Sequence, residues 1–453
     1  HFSCTPNSSI SRMLSQKLGM DCPNRATTVL IRSTGLCGLT ADNTPSGIEI
    51  SSDSNADAVA EAVVEKAAPI VIIGSGYAGY GLAEALRQRT ADQEILIFTA
   101  DDGANYSKPG LSNALARGKS ADELVSETVL QLEQRLNIRI YAHCKVQRID
   151  PDAHVLHTAL GEQPYSKLIL ALGAAPIRLP FAGSGAADVV SVNDLQDYRV
   201  FRHKLENAKH VTIVGNGLIG CEFANDLAAQ GIKVSVVGLT GWPMDRLLPE
   251  QIGQQLQSNL TDMGVNWHLN TTVDQIERDG DAYQLTLVNG EQLNTDLVVS
   301  AVGLKPRTEL AETAGVLCNR GIVVNGGLRT NVQDIYALGD CVELQGKLLP
   351  YIAPINFGLR ALADCLLGRP TMAQYPLMPV MVKTPALPLT LLTAAPDVEG
   401  QWIVDNLDGG MRGLFVDNSD QIRGFALAGD CTAERQRWVD AINQNQLYSM
   451  LEE

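Results

Sequence analysis

The 453-residue chain is too long for a single core, and with 45% hydrophobic and 19% charged residues it has the composition of a globular protein of roughly two to four domains. A formal net charge of −16 argues against non-specific binding to nucleic acid or to anionic membranes. No apolar run reaches the ~20 residues that span a bilayer, and no basic stretch leads into an apolar one at the start, so membrane insertion and secretion are not expected and the cytoplasm is.

Residues 1–66 are read as an extension or linker, possible disorder included, rich in Ser, Thr, Asn and Asp; Ala56–Ala68 could form a short helix. From Pro69 the pattern changes to short β-branched runs alternating with helical stretches, the signature of an α/β fold. The first unit is the strand, glycine loop and helix of Ile70–Gln88, followed by a strand at Glu94–Thr99. A second unit of the same design spans His210–Gly231 and is followed by a strand at Lys233–Val237. A hairpin with a buried strand follows in 284–303, then Asp334–Asp340, then a helix from about Ile355 to Leu367. Beyond Arg369-Pro370 short strands and turns form a separate α+β domain. The expected domains are 67–180 with 302–370, 181–301, and 371–453, the first two Rossmann-like and dinucleotide-binding.

Each glycine loop has the sequence that a dinucleotide pyrophosphate requires. In Gly74-Ser75-Gly76-Tyr77-Ala78-Gly79 the first glycine permits the tight turn, the second lets the backbone approach the anion, and the third lets helix and strand pack closely. Gly215-Asn216-Gly217-Leu218-Ile219-Gly220 repeats the pattern in the same strand-to-helix context. Asp101, just past the second strand, is placed to accept from ribose hydroxyls, or is a solvated loop acid beside Asp102. After the second unit the equivalent place holds Gly238 and Leu239, with Arg246 several residues on, so NADH is favoured over NADPH. The nine cysteines include no C-x2-C pair, which leaves no zinc-ribbon, iron-thiolate or dithiol signature and no expected metal site.

On these loops, with Leu172-Gly173-Ala174-Ala175-Pro176, Ala301-Val302-Gly303-Leu304-Lys305-Pro306 and Tyr336–Asp340, the chain resembles the two-dinucleotide-domain flavoprotein reductases. Within them, Ala100–Asn113, Gly217–Ala228, Leu297–Gly315, Asn319–Thr330 and Met378–Leu389 are similar to the rubredoxin reductases. The resemblance covers about residues 69–440 and implies FAD in the first domain, NADH in the second and rubredoxin as electron acceptor, serving for example alkane hydroxylation or defence against oxidative stress. A flavorubredoxin or ferredoxin is the alternative acceptor, and a redox-sensing flavoprotein a further reading. The redox cysteine pair of the related disulphide reductases is missing: Tyr106-Ser107-Lys108-Pro109 stands in that region.

The resemblance also implies roles. Asp340 would bond the FAD ribitol, or cap the turn that follows it. Lys108 and Lys383 would contact FAD, Lys383 close to the isoalloxazine, unless they are surface lysines. Val146 would meet the adenine end through its backbone, or be strand core, and Gly173 belongs to the same cofactor site. Glu222 would sit where nicotinamide meets flavin, the rival being a helix-surface acid, with Gly303 at the same junction. No side chain is expected to act as a catalytic acid or nucleophile. Lys108, Arg117, Lys119, Lys305, Arg307, Arg360 and Lys383 could form a basic patch for an acidic partner.

Overall fold

The computed structural model describes residues 68–451, so the reading of residues 1–66 and of a helix beginning at Ala56 lies outside the described residues. The first glycine unit folds as β1 (Ile70–Ile73), α1 (Tyr77–Arg87) and β2 (Ile95–Phe98), and is extended by β3 (Arg139–Tyr141) and β4 (Lys167–Leu170). The second unit is β5 (His210–Val214), α2 (Leu218–Ala228), β6 (Lys233–Val237), β7 (Val265–His268) and β8 (Leu297–Ser300). The chain then returns to the first sheet with β9 (Ile335–Ala337) and α3 (Ile352–Leu366).

Both sheets are parallel, with orders β9-β4-β1-β2-β3 and β7-β6-β5-β8. In the first sheet β1 and β2 are buried along their whole length, and in the second β5 and β6 are buried beyond their first residue, as β-branched runs covered on both faces should be. The chain passes between the two sheets through an antiparallel pair, Ala174–Pro176 against Leu304–Pro306.

Helix α3 begins at Ile352, three residues before the sequence-based start. Pro354 falls in its first turn, where the missing N–H has no intrahelical partner to lose, so the proline is accommodated rather than excluded. Gly81 allows α3 to lie close on α1: a Cβ there would stand 2.8 Å from Leu359 Cδ1.

The last part is a mixed-length antiparallel sheet of β10 (Val380–Val382), β11 (Leu389–Leu392), β12 (Gly400–Leu407), β13 (Gly410–Asp417) and β14 (Ile422–Gly429), with α4 (Arg435–Asn443) on it. Its two faces have different partners. Leu414, Phe425 and Leu427 pack with Trp438 of α4. Leu389, Leu391, Ala426 and Ala428 join the core of the second parallel sheet, with Leu227 and Ala228 of α2. Leu111 and Ala114, from the 3-10 helix Lys108–Asn113 and its end, enter the same core. Helix α2 is therefore enclosed by segments from all three parts of the chain.

Candidate functional site

The two glycine loops are built alike, atom for atom in their tight contacts. Gly74 and Gly215 have φ of +120° and +115°, and a Cβ on either would meet a carbonyl oxygen, Ala171 at 2.2 Å and Ala301 at 2.6 Å. Gly79 and Gly220 lie against the carbonyls of Gly74 and Gly215, at 1.9 and 2.0 Å from a notional Cβ. The middle glycines differ: nothing lies within 4 Å of a Cβ on Gly76 or Gly217. Each is the N-cap of its helix, and no side chain caps either end. The first turns at Tyr77, Ala78 and Gly79, and at Leu218, Ile219 and Gly220, thus begin beside open space, with no capping side chain on their N–H groups and the positive end of a helix behind them. A pyrophosphate fits both cradles in shape and in charge.

Around the first cradle, Asp101 is not a free loop acid. Its Oδ1 accepts from Ser75 Oγ (2.8 Å), Thr99 Oγ1 (2.6 Å) and the Gly103 N–H (3.0 Å), which fix the carboxylate at the strand end. Tyr77 Oη donates to Asn356 Oδ1 at 2.7 Å, joining the N-terminal ends of α1 and α3. Lys108 Nζ stands 3.9 Å from Asp340 Oδ2. Burial lowers the Lys108 pKa, partly offset by Asp340, and burial raises the Asp340 carboxyl, partly offset by Lys108. Val146 is buried and opens a strand paired with Thr158. Gly173 (φ +65°) and Gly303 (φ +111°) flank the antiparallel connection between the sheets, where Ile177 N–H donates to the Gly303 carbonyl at 3.0 Å.

Helix α2 carries the densest cluster. Glu222 is 1% exposed, which rules out the helix-surface reading. Its Oε2 accepts from Lys383 Nζ (2.7 Å) and Ser112 Oγ (2.6 Å), and its Oε1 from the Lys383 N–H (2.9 Å). One turn on, Asn225 Oδ1 accepts from the Ala386 N–H (3.0 Å). Asp226 accepts from the N–H groups of Ala116 (2.8 Å) and Leu115 (3.1 Å). Burial pushes the Asp226 carboxyl up to about 6 against those two bonds and the cations Arg202 and Arg117. Lys383 is likewise no solvated surface lysine, since its ammonium spans Glu222 and Ser112.

Two of the seven cations of the expected basic patch, Lys108 and Lys383, face carboxylates rather than a free surface, and Arg307 directs Nη1 at the carbonyls of Leu172 and Ala174. Ser112, Asn225, Asp226 and Asn356 were not singled out from the sequence. Ser112 lies in the Ala100–Asn113 segment, and Asn225 and Asp226 follow Glu222 by one turn, which was the available signal. Among the described residues no group of three or more His, Cys, Asp or Glu could hold a metal ion.

The pyridine nucleotide-disulphide oxidoreductase family matches residues 68–357, and a rubredoxin binding C-terminal domain matches residues 372–442. The chain is 46% identical over 377 residues to the rubredoxin-NAD(+) reductase of Acinetobacter baylyi, covering 82% of this chain and 96% of that one. It is 42% identical to the enzyme of the same name from Alcanivorax borkumensis, with 82% and 97% covered. A nitric oxide reductase FlRd-NAD(+) reductase of Aeromonas hydrophila is 38% identical, with 80% and 93% covered. Among solved structures, the ferredoxin reductase of the CYP199A2 system from Rhodopseudomonas palustris superposes with a TM-score of 0.74 at 24% identity, covering 84% of this chain and 98% of that one. The NADH:rubredoxin oxidoreductase of Clostridium acetobutylicum gives 0.70 at 21%, with 84% and 97% covered, a likeness of fold.

Proposed function

The chain belongs to the pyridine nucleotide-disulphide oxidoreductase family, and from that premise we propose that it is an FAD-dependent enzyme that oxidises NADH and passes the electrons to rubredoxin. The carrying observation is the pair of open, uncapped glycine cradles at Gly76 and Gly217, each fitted to one dinucleotide, on a chain whose residues 372–442 match a rubredoxin-binding domain. Bound FAD supplies the conversion of a hydride received as an electron pair into electrons released one at a time.

The residues of this chain bind, orient and neutralise. We assign the first cradle, Gly74 to Gly79 with the N–H groups of Tyr77 and Ala78, to the FAD pyrophosphate, and Asp101, already held through one oxygen, to a ribose hydroxyl. Asp340 with Lys108 takes the ribitol and its surroundings, and Val146 and Gly173 line the same cofactor. The second cradle, Gly215 to Gly220 with Leu218 and Ile219, holds the NADH pyrophosphate. Glu222, Lys383 and Gly303 are assigned to the junction of nicotinamide and flavin. Helix α3, whose N-terminus carries no capping side chain, would lend the positive end of its dipole to the bound flavin. The 67–180 with 302–370, 181–301 and 371–453 division then corresponds to FAD, NADH and acceptor domains.

Among the described residues no helix is long and apolar enough to cross a membrane, and all six described cysteines are free thiols. Reduced thiols support a cytoplasmic location.

Stopped-flow mixing of the FAD-loaded protein with NADH, with and without rubredoxin, tests the reading. The expected result is rapid bleaching of the flavin band and reoxidation that depends on rubredoxin. Rapid bleaching with reoxidation only by a flavorubredoxin or a ferredoxin would move the acceptor. Slow bleaching with a persistent long-wavelength band would replace the reductase by a sensing flavoprotein.

A further inference from the structure

The first glycine cradle and the amino end of α3 are packed side by side. A Cβ on Gly339 would stand 3.0 Å from Ala78 Cβ and 4.0 Å from Ile355 Cδ1, so three segments distant in sequence touch at this point. Their chain neighbours Tyr77, Asp340 and Asn356 are thereby brought to one place, beside the N-termini of α1 and α3, neither of which has a capping side chain. Side chains on a helix lean toward its amino end, so Tyr77, the first residue of α1, and Asn356, the fifth of α3, reach toward these two open ends. They meet there, Tyr77 Oη donating to Asn356 Oδ1 at 2.7 Å.

This bond lies at the surface, with Tyr77 43% exposed and Asn356 exposed as well. An exposed bond between two neutral side chains contributes only modestly to the fold. What it does fix is the direction of an amide. With Oδ1 held by the phenol, Asn356 Nδ2 is turned away from it, and this NH2 has no acceptor among the described residues. It joins the uncapped N–H groups of two helices as a donor without a protein partner on the same side of the fold. FAD presents the matching chemistry, since its pyrophosphate oxygens, ribitol hydroxyls and ring carbonyls all accept.

Resting on the assignment of Gly74–Gly79 to FAD, we propose that Tyr77 and Asn356 form a clasp on the bound cofactor: Asn356 Nδ2 donates to FAD, and the Tyr77 hydroxyl is the positioning group that keeps the amide turned toward it. The clasp joins the helix that receives the pyrophosphate to the helix whose positive end serves the flavin. One hydrogen bond thus holds the two helix ends and directs a third donor between them.

The test titrates the full-length, flavin-free protein with FAD by calorimetry and records its melting without FAD. Asn356→Ala should weaken FAD by about five- to tenfold, the worth of one neutral hydrogen bond. Tyr77→Phe should weaken it by about threefold, and should cost nothing further when Asn356 is already alanine, because the phenol acts only through the amide. Asn356→Asp separates the clasp from a plain tie between helices. Its carboxylate still accepts from the Tyr77 hydroxyl, but it has no N–H to give and brings an anion beside a pyrophosphate, so FAD should weaken by more than about tenfold. Flavin-free melting of all the variants should stay near that of wild type, as for other exposed substitutions. Asn356→Asp protein that binds FAD like wild type would overturn the proposal, as would a further loss from Tyr77→Phe in the Asn356→Ala background. Tighter FAD binding by Tyr77→Phe or Asn356→Ala would show that the clasp stands in the cofactor's way, and would overturn it too. If wild-type protein takes up no FAD, the assignment of the first cradle itself falls and the proposal with it.

Discussion

The Lys383–Glu222 pair should be asymmetric to mutation, because its two charges are buried to different depths. Glu222 is 1% exposed, whereas the Lys383 side chain is 31% exposed. Lys383→Met keeps the apolar stem and the backbone N–H but leaves an anion deep in the fold, with only Ser112 and one N–H to balance it. Removing one partner of a buried pair costs about 3–5 kcal/mol, and the two remaining donors put this case at the lower end, about 3 kcal/mol. Glu222→Gln keeps the shape and an acceptor oxygen, and strands a cation that water can still reach; the loss is that of a charge-assisted bond at a partly exposed site, about 1–2 kcal/mol. The double variant removes both charges and should be more stable than Lys383→Met alone. A chain of several domains need not unfold in two states, so the measurement is the calorimetric melting order of the FAD-loaded proteins, with the flavin band recorded to exclude cofactor loss. Wild type should melt highest, then Glu222→Gln, with Lys383→Met lowest and the double variant above it. If Glu222→Gln melts at or below Lys383→Met, or if the two losses simply add in the double variant, the depth argument is wrong.

The three glycines of a loop should fail in different ways. Gly76→Val places a side chain in open space at an ordinary φ of −74°, so flavin-free protein should melt almost as wild type while FAD affinity falls by about tenfold or more. Gly79→Ala drives a Cβ against the Gly74 carbonyl and should cost about 1–3 kcal/mol in the flavin-free protein; equal melting of the two variants would contradict the division of roles. Asp226 gives a pH signature. Its carboxyl is raised to about 6 in the fold, so between the ordinary carboxylate value near 4 and about 6 the folded state holds a proton that the unfolded state has lost, and stability falls as pH rises through that window. Asp226→Asn is less stable throughout, since an amide can accept from only one of the two N–H groups, but it lacks this slope. The melting gap between wild type and variant should therefore narrow from pH 4 to pH 6, and a widening gap would count against a raised Asp226 pKa.

The parts of the fold legible in the sequence are those set by local rules. A β-branched run, three glycines and a helical stretch specify one turn geometry, and both loops adopt it because the contacts of Gly79 with Gly74, and of Gly220 with Gly215, close within six residues. The α/β architecture followed from the same alternation, and the C-terminal α+β part from the short strands and turns beyond Arg369-Pro370. Start positions were harder: α3 begins three residues before the expected Ile355, with Pro354 in the one turn that tolerates it. Least legible was the cluster on α2, because Ser112 is 110 residues and Lys383 161 residues from Glu222. Nothing local announces that a 3-10 helix near the first loop and a strand from the last domain converge on one carboxylate. Two of the lysines counted for the basic patch, Lys108 and Lys383, show the same limit, since each stands beside an acid that is remote in sequence.

Helix α2 grips its neighbours largely by their main chain: Glu222, Asn225 and Asp226 accept from the N–H groups of Lys383, Ala386, Leu115 and Ala116. An N–H is furnished by every amino acid except proline, so these four bonds, unlike those of Lys383 Nζ and Ser112 Oγ to Glu222, are indifferent to which side chains the gripped segments carry. Divergence can then run almost one-sidedly. The strand and loop that approach α2 are free to change residue type, so far as these bonds are concerned, and only proline at 115, 116, 383 or 386 is forbidden by them, whereas the three acceptors on the helix have few substitutes. A domain that must suit different acceptor proteins could be re-surfaced around such a joint without the joint having to be reinvented.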